Sequence, residues 1–317
     1  LAMDANTTGS GNVAVGEDSL GGNTTGDDNV AIGQNALKAN TTGQRLTAVG
    51  QGALAANTTA DSNVAVGRAS LGANTTGHDN TAVGRASLGA NTTASDNTAV
   101  GAFALDANTT GNSNTAVGKS ALTTATTAND NTAVGFYGLG ALTTGAGNVA
   151  VGKDAGQLIT TGNYNVAIGL DALESVTTGA DNVAVGYYAL QANTGAGNTA
   201  VGRSAMAANT SGETNAAFGY QSLDANTTGG SNTSIGYQAM TDNTTGSSNV
   251  AVGKNAMSNN ETADYNVAVG FQALFTNTTG ANNVAIGHNA LVNATTASSN
   301  TAVGQAAGDA ITTGDLN

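Results

Sequence analysis

Residues 63–79 read NVAVGRASLGANTTGHD, and residues 80–96 follow with NTAVGRASLGANTTASD. Taking the Asn before each VAVG-like box as position 1, anchors fall at 12, 29, 46, 63, 80, 97, 114, 131, 148, 165, 182, 198, 215, 232, 249, 266, 283, 300 and 317. Every interval is 17 residues except 182 to 198, which is 16. The chain is therefore eighteen copies of N-(V/T)-A-(V/I)-G-x-x-A-L-x-A-N-T-T-G-x-x, with only Leu46 replacing an anchor Asn. The short copy lacks one Thr of its NTTG box, at NTGAGN (Asn193 to Asn198), so that box should be a turn able to absorb a deletion.

Helix is a poor reading of this unit. Gly, Asn and Thr weaken helices, and no apolar stripe of period 3.6 runs through it. Seventeen residues are also too few for a helical-hairpin repeat, which needs about twice that. The expected fold class is all-β: a parallel β-solenoid, or β-roll, with one 17-residue coil per repeat and about 18 coils. NVAVG should be one short strand and a second should lie within ALxANTT. Coils stacked about 4.8 Å apart would extend roughly 86 Å. Residues 1–317 should be a single repetitive segment, open at both ends, a fragment of a longer fibre; Leu1 opens in mid-pattern, and edge strands at Leu1 and Asn317 would be exposed.

Each column then has an expected task. Position 4, aliphatic in every unit except at Phe218, should face the interior and meet the Leu or Met of position 9 across a thin core. Gly156 and Gly308 lose the position-9 side chain, and both units place Ile at position 12 (Ile159, Ile311), as if to restore core volume. Position 3 is Ala in all units but one, Ser234, a size limit that suggests another strand layer or another chain close by. Position 5 is always Gly, which points to a corner with positive φ. Asn at positions 1 and 12 should stack into amide ladders.

Composition narrows the function. The net charge of −13 disfavours nucleic acid, whose phosphates need clustered Lys and Arg. Apolar runs fall far short of a membrane span, so no membrane insertion is expected. The chain has no Cys, which removes disulfides and Cys-based metal sites, and no signal peptide is visible. His78 and His288 sit at different repeat positions, and no Ser-His-Asp set, phosphate loop or carboxylate pair stands out, so neither catalytic residues, metal nor cofactor is expected. Asp28, Asp79, Asp96, Asp130 and Asp181 precede anchor residues without the dense Asp/Asn/Gly pattern of calcium repeats and read as turn residues.

Position 6 is the candidate surface site. It holds Arg68, Arg85, Lys119, Lys153, Arg203 and Lys254, six of the eight basic residues, together with Phe136, Tyr187, Tyr220, Tyr237 and Phe271. Phe103, Tyr137 and Tyr188 follow one place later. One reading is an exposed ridge of rings and cations that stacks on surface glycans or a host receptor. The favoured one is that these side chains cover the shoulder of a neighbouring coil or chain, with cation–π contacts between rungs. The Thr columns at positions 13 and 14 raise ice binding, but adjacent strand residues point to opposite faces, so a ladder supporting a turn is preferred. The repeated Asn-Thr-Thr, formally a glycosylation acceptor, reads as structural, because sugar on every rung would prevent lateral packing.

The box N-(V/T)-A-(V/I)-G-x-x-A/S resembles the NSVAIGxxS motif of YadA-like heads in trimeric autotransporter adhesins, whose unit is typically fourteen residues. It is also similar to the NTFIGYQAG…NTTG…N arrays of phage and bacterial tail-fibre-like proteins, which run at seventeen residues and often precede an endosialidase-type chaperone domain. Gly236 to Ala239 (GYQA) and Asp154 to Gly156 (DAG) match those arrays, and the likeness covers essentially the whole chain. The resemblance implies a homotrimer of parallel β-solenoids, a fibre or adhesin shaft outside the cell, on a virion tail fibre or bacterial surface. It implies a role in presenting or contributing to host attachment. An ice-binding solenoid is the alternative.

Overall fold

The computed structural model describes residues 1–316; Asn317, the last anchor of the repeat count, lies outside the described residues. The chain is all-β, a parallel β-solenoid of about 17-residue coils carrying eighteen three-residue strands. It forms two compact units, Leu1–Asn163 and Tyr164–Asn317. The first contains strands β1 (Val13–Val15) to β9 (Val149–Val151), the second β10 (Val166–Ile168) to β18 (Thr301–Val303). Within each unit, strands pair in parallel with their sequence neighbours and like positions stand opposite one another, as in Val13↔Val30, Ala14↔Ala31 and Val15↔Ile32.

Each strand is positions 2 to 4 of the repeat. Its alternation runs opposite to expectation: position 3 is buried while position 4 points outward, with Ile32 40% and Ile235 41% exposed. Side chains on a strand alternate faces, so whichever of these two positions enters the coil excludes the other. The coil interior is narrow, and the small residue takes it. A Cβ built on Gly138, at position 8, would lie 3.6 Å from Ala133 Cβ, and one on Gly308, at position 9, would lie 3.5 Å from Ala302 Cβ. The Ala column is thus small because its own coil's opposite wall presses on it, not because another layer or chain approaches. Ser234, the one polar residue in that column, is accommodated by bonds to its surroundings: Ser222 Oγ lies 2.7 Å from its Oγ, which in turn donates to the Ala239 carbonyl at 2.9 Å.

No second strand forms in ALxANTT. Positions 7 and 9 both take left-handed backbone, for example Asn35 at φ 59° and Leu37 at φ 52°, so the segment is a run of turns. The coils are nevertheless bonded there through the backbone, Leu20 N–H to Ala36 O at 3.0 Å and Thr24 N–H to Thr41 O at 2.9 Å. Left-handed Leu costs roughly 1–2 kcal/mol per residue. What offsets the cost is burial of the Leu side chain, complete in Leu37, Leu54, Leu71 and their equivalents. Where position 9 is Gly the predicted exchange of volume is visible: a Cβ on Gly156 would meet Ile159 Cδ1 and Leu139 Cδ2, each at 3.0 Å.

Away from the first coil the Asn columns are buried, and most of their amides are hydrogen-bonded. At position 12, Asn23, Asn40, Asn57, Asn74, Asn91 and Asn108 each donate to the Oδ1 of the Asn one coil before, at 2.8–3.1 Å. The same nitrogens close their own turns on the position-15 carbonyl, as in Asn74 Nδ2 to Gly77 O at 2.8 Å. From Ala125 through Leu142, Ile159 and Val176 the column is apolar, and these four side chains are also buried. Position 1 works differently: its Oδ1 accepts the backbone N–H of the next anchor, as in Asn97 N–H to Asn80 Oδ1 at 3.0 Å. Its Nδ2 reaches the position-15 carbonyl at the far end of its own repeat, Asn97 to Gly111 O at 2.9 Å. The 16-residue coil keeps both features, because Asn193 closes a turn one residue shorter on Gly195 O at 2.9 Å and still accepts from Asn209 at 2.7 Å.

Two substitutions test this construction by thermal or chemical unfolding. Gly50 has φ 136°, and a Cβ there would sit 2.6 Å from the carbonyl carbon and oxygen of Gly67; Gly52 has φ 68° with nothing within 4 Å. Gly50→Ala is expected to destabilise by about 3 kcal/mol or more. Gly52→Ala, at a position where other coils carry Ala69 and Ala86, should cost no more than about 1–2 kcal/mol. Separately, Asn277 Oδ1 is buried without a partner because the next coil offers Ala294 in place of the donor. Ala294→Asn should extend the ladder and stabilise by about 1 kcal/mol.

Candidate functional site: the column after the corner glycine

The glycine at position 5 adopts φ of 123–142° in all eighteen coils, which turns the chain at the end of the strand. The residue that follows is thrown outward at the same corner every coil, so position 6 becomes a vertical file of side chains. In the file Gln34 donates to Glu17 at 2.9 Å, and Arg68 and Arg85 occupy successive coils further along. Nearly all of it is exposed; Tyr220 is half-buried.

In the second unit the file is an almost uninterrupted stack. Arg203 lies 5.7 Å from the Tyr187 ring centroid and 5.6 Å from that of Tyr220. Tyr220 and Tyr237 are stacked at 5.3 Å with planes 14° apart. Lys254 then sits 5.6 Å from Tyr237 and 5.9 Å from Phe271. Phe271 is stacked on His288 at 5.2 Å. In the sequence His288 is weighed only as a catalytic or metal-binding residue, although it falls 17 residues after Phe271 and so in the same column. Tyr188, one place along, tilts against Tyr187 at 3.9 Å.

The first unit holds shorter pieces of the same pattern. Arg85 lies over Phe103 at 4.5 Å, Lys119 over Phe136 at 5.7 Å, and Phe136 meets Tyr137 edge-on at 4.6 Å. Lys153 instead pairs with Asp154 at 2.9 Å. All of the sequence candidates therefore share one file within their own units, and most of them contact each other. The rings in the longest stack spend their faces on the cations and rings of adjacent coils, as the favoured reading of the sequence holds.

Other columns are committed to the backbone. The position-13 hydroxyls donate to the equivalent carbonyl of the next coil, Thr24 to Thr41 O at 3.0 Å and Thr41 to Thr58 O at 2.9 Å, while position 14 stays outside. Position-16 carboxylates accept backbone N–H groups of the preceding coil: Asp27 from Ser10 and Asp61 from Gln44, both at 2.7 Å. The Ser10 N–H, with help from its hydroxyl, holds the Asp27 carboxyl below its usual range. Asp28, Asp79, Asp96, Asp130 and Asp181 occupy left-handed turns, φ 56–62°, which Asp tolerates. Among the described residues no group of three or more His, Asp or Glu is placed to hold a metal ion, and no helix is long and apolar enough to cross a membrane.

Fold and surface together define a tandem-repeat parallel β-solenoid with specialised longitudinal columns. No family model and no curated protein matches the chain.

The stack should contribute to stability through coupled pairs. Lys254→Met keeps the side-chain stem and removes the charge, and its double-mutant cycle with Phe271→Leu is expected to give a coupling of about 0.5–1 kcal/mol in unfolding experiments. The coupling should be absent between Lys254→Met and Phe103→Leu.

Proposed function

We propose that the chain is the shaft of an extracellular fibre or adhesin, on a virion tail fibre or a bacterial surface, in which three copies pack side by side. It would act as a rigid spacer that carries or contributes to host attachment. The observation that carries this reading is the outer face of the strands. In every coil but one positions 2 and 4 present Val, Thr or Ile outward, Ala216 and Phe218 being the exception, and the position-4 residues Ile32, Val100, Val134, Ile168 and Ile286 are 37–40% exposed. A regular apolar file of this kind is uncommon on a monomer and marks an association surface. A second copy of the chain presents the same face at the same rise per coil, so copies aligned in parallel would bury it along their length. The number three comes from the resemblance to adhesin heads and tail fibres.

The ice-binding alternative has less support. The position-13 hydroxyls are donated to carbonyls, so of the adjacent Thr columns only position 14 stays outward, and the Thr residues of position 2 are interrupted by Val along their own column.

Light scattering on the purified chain is expected to give three copies per particle. Val100→Glu combined with Val134→Glu should release monomers that retain the β-type circular dichroism of the parent. A parent chain that is monomeric at micromolar concentration would overturn the shaft reading and make ice-growth inhibition the next measurement.

A further inference from the structure

The two repeats that open the sequence analysis also create a depression on the first unit. Both carry RASLGA after the corner region, and with Gly52, Ala55 and Ala56 of the preceding coil, small residues occupy positions 7, 10 and 11 in three successive coils. Position 10 is bulkier at Lys38, Asp106, Thr123 and Gln157, and small again at Gly21, Gly140, Ala207 and Ser258. Over Ala69, Gly72, Ala86 and Gly89 the surface therefore drops into a shallow notch of about 580 Å³ with Asp106 in its wall. Through Ala69 and Ala86 it continues into a second depression of about 230 Å³, rimmed by Arg68, Arg85 and Phe103. A Cβ on Gly89 would fall 2.6 Å from Asp106 Oδ1, so the glycine leaves the carboxylate its place in the notch. Burial pushes the Asp106 carboxyl up.

Two cations without a carboxylate partner among the described residues stand side by side on the rim of this notch, a state that Lys119, Arg203 and Lys254 share singly elsewhere. Lys38 pairs with Asp18, Arg45 with Asp61, and Lys153 with Asp154. Among the described residues no carboxylate pairs with Arg68 or Arg85, in a chain of net charge −13. The Arg85 guanidinium is instead held over the Phe103 ring, a contact that orients it while leaving its N–H edge free. The backbone of the notch is already used between coils: Ala69 N–H bonds Gln51 O, Ala86 N–H bonds Arg68 O, and Ala73 N–H bonds Gly89 O. A peptide strand would find no free edge to pair with.

We propose that this notch binds an acidic saccharide. A sugar carboxylate would be held by Arg68 and Arg85, the carbon face of a ring would rest on the methyls of Ala69 and Ala86 beside Phe103, and a ring hydroxyl would donate to Asp106. The two depressions together fall in the size range of small-ligand sites, about 300–1,000 Å³. Their length across two coils suits two or three linked sugars. The site lies within one chain and does not depend on the number of chains in the particle.

Calorimetric titration of the full chain with oligogalacturonate, oligosialate, a neutral malto-oligosaccharide and poly-glutamate tests this. At least one acidic saccharide should bind, with the neutral sugar and poly-glutamate at least about tenfold weaker. Arg68→Gln with Arg85→Gln should weaken that binding by about tenfold or more. Gly72→Gln should do the same by filling the notch. Its Cβ would meet nothing closer than the Ala69 carbonyl oxygen at 3.3 Å, and Gln157 and Gln191 occupy the same position in other coils, so it should melt like the parent. The proposal fails if neither acidic saccharide binds, if poly-glutamate binds as well as they do, or if Gly72→Gln binds undiminished.

Discussion

The constraint on which the rest of the structure depends is the closeness of successive coils at the corner glycine. In the interior of each unit, any side chain there would run into the backbone of the next coil, as the 2.7 Å approach of a built Gly33 Cβ to the Gly50 carbonyl shows. With no Cβ, the corner can take φ near 135° and the next coil can settle at β-strand spacing. Only then can the backbone bond between coils along the strand and also along the turns, and only then do identical residues arrive above one another. The amide ladders, the threonine hydroxyls and the ring stacks are all consequences of that registry.

Much of this was legible in the sequence because an exact period leaves little choice. A 17-residue repeat of strand-prone and turn-prone residues gives coils, invariant Gly gives the corner, and recurrent Asn gives the ladders. The Gly-for-Leu, Ile-for-Asn exchange could be read as a volume exchange without coordinates. Two assignments inverted or failed for a shared reason. Hydrophobicity alone placed Val at position 4 inside, but the space directly across from the strand is already filled. Leu at position 9 fills it from a left-handed turn, so the strand that faces it can contribute nothing larger than Ala. The same left-handed residues that deliver Leu to the core prevent ALxANTT from being a strand. A conformation that Leu rarely adopts is not signalled by its identity, and the period carries no information about which side of the strand is inner.

The position-6 file was found by counting, and its membership held, yet its chemistry depended on neighbours 17 residues apart. Read along the chain, Tyr220, Tyr237, Lys254, Phe271 and His288 are isolated exposed residues. Read along the column they are partners, and His288 drops out of view unless the count is carried to it. A residue on such a surface has its strongest contacts with the equivalent positions before and after. Most of these rings remain exposed while touching one another and the cations of adjacent coils, so the file links successive coils.

Where every column is self-satisfying, specific recognition has to come from departures from the repeat. Replacement of a bulky position-10 side chain by Gly in two adjacent coils takes nothing from the inter-coil bonding, because those bonds belong to the backbone and to the Asn and Thr columns. It leaves a depression whose walls are already rigid. Placing arginines without carboxylate partners beside that depression likewise costs the scaffold little, since their stems lie on the outer shoulder and one of them is steadied by Phe103. The separation is general to this architecture: core, corner and ladder positions keep the coil, and positions 6, 7, 10 and 11 can vary freely around them. A near-perfect duplication such as residues 63–79 and 80–96 then has a physical effect beyond lengthening the solenoid, because two identical small rungs in sequence make one site that neither rung makes alone.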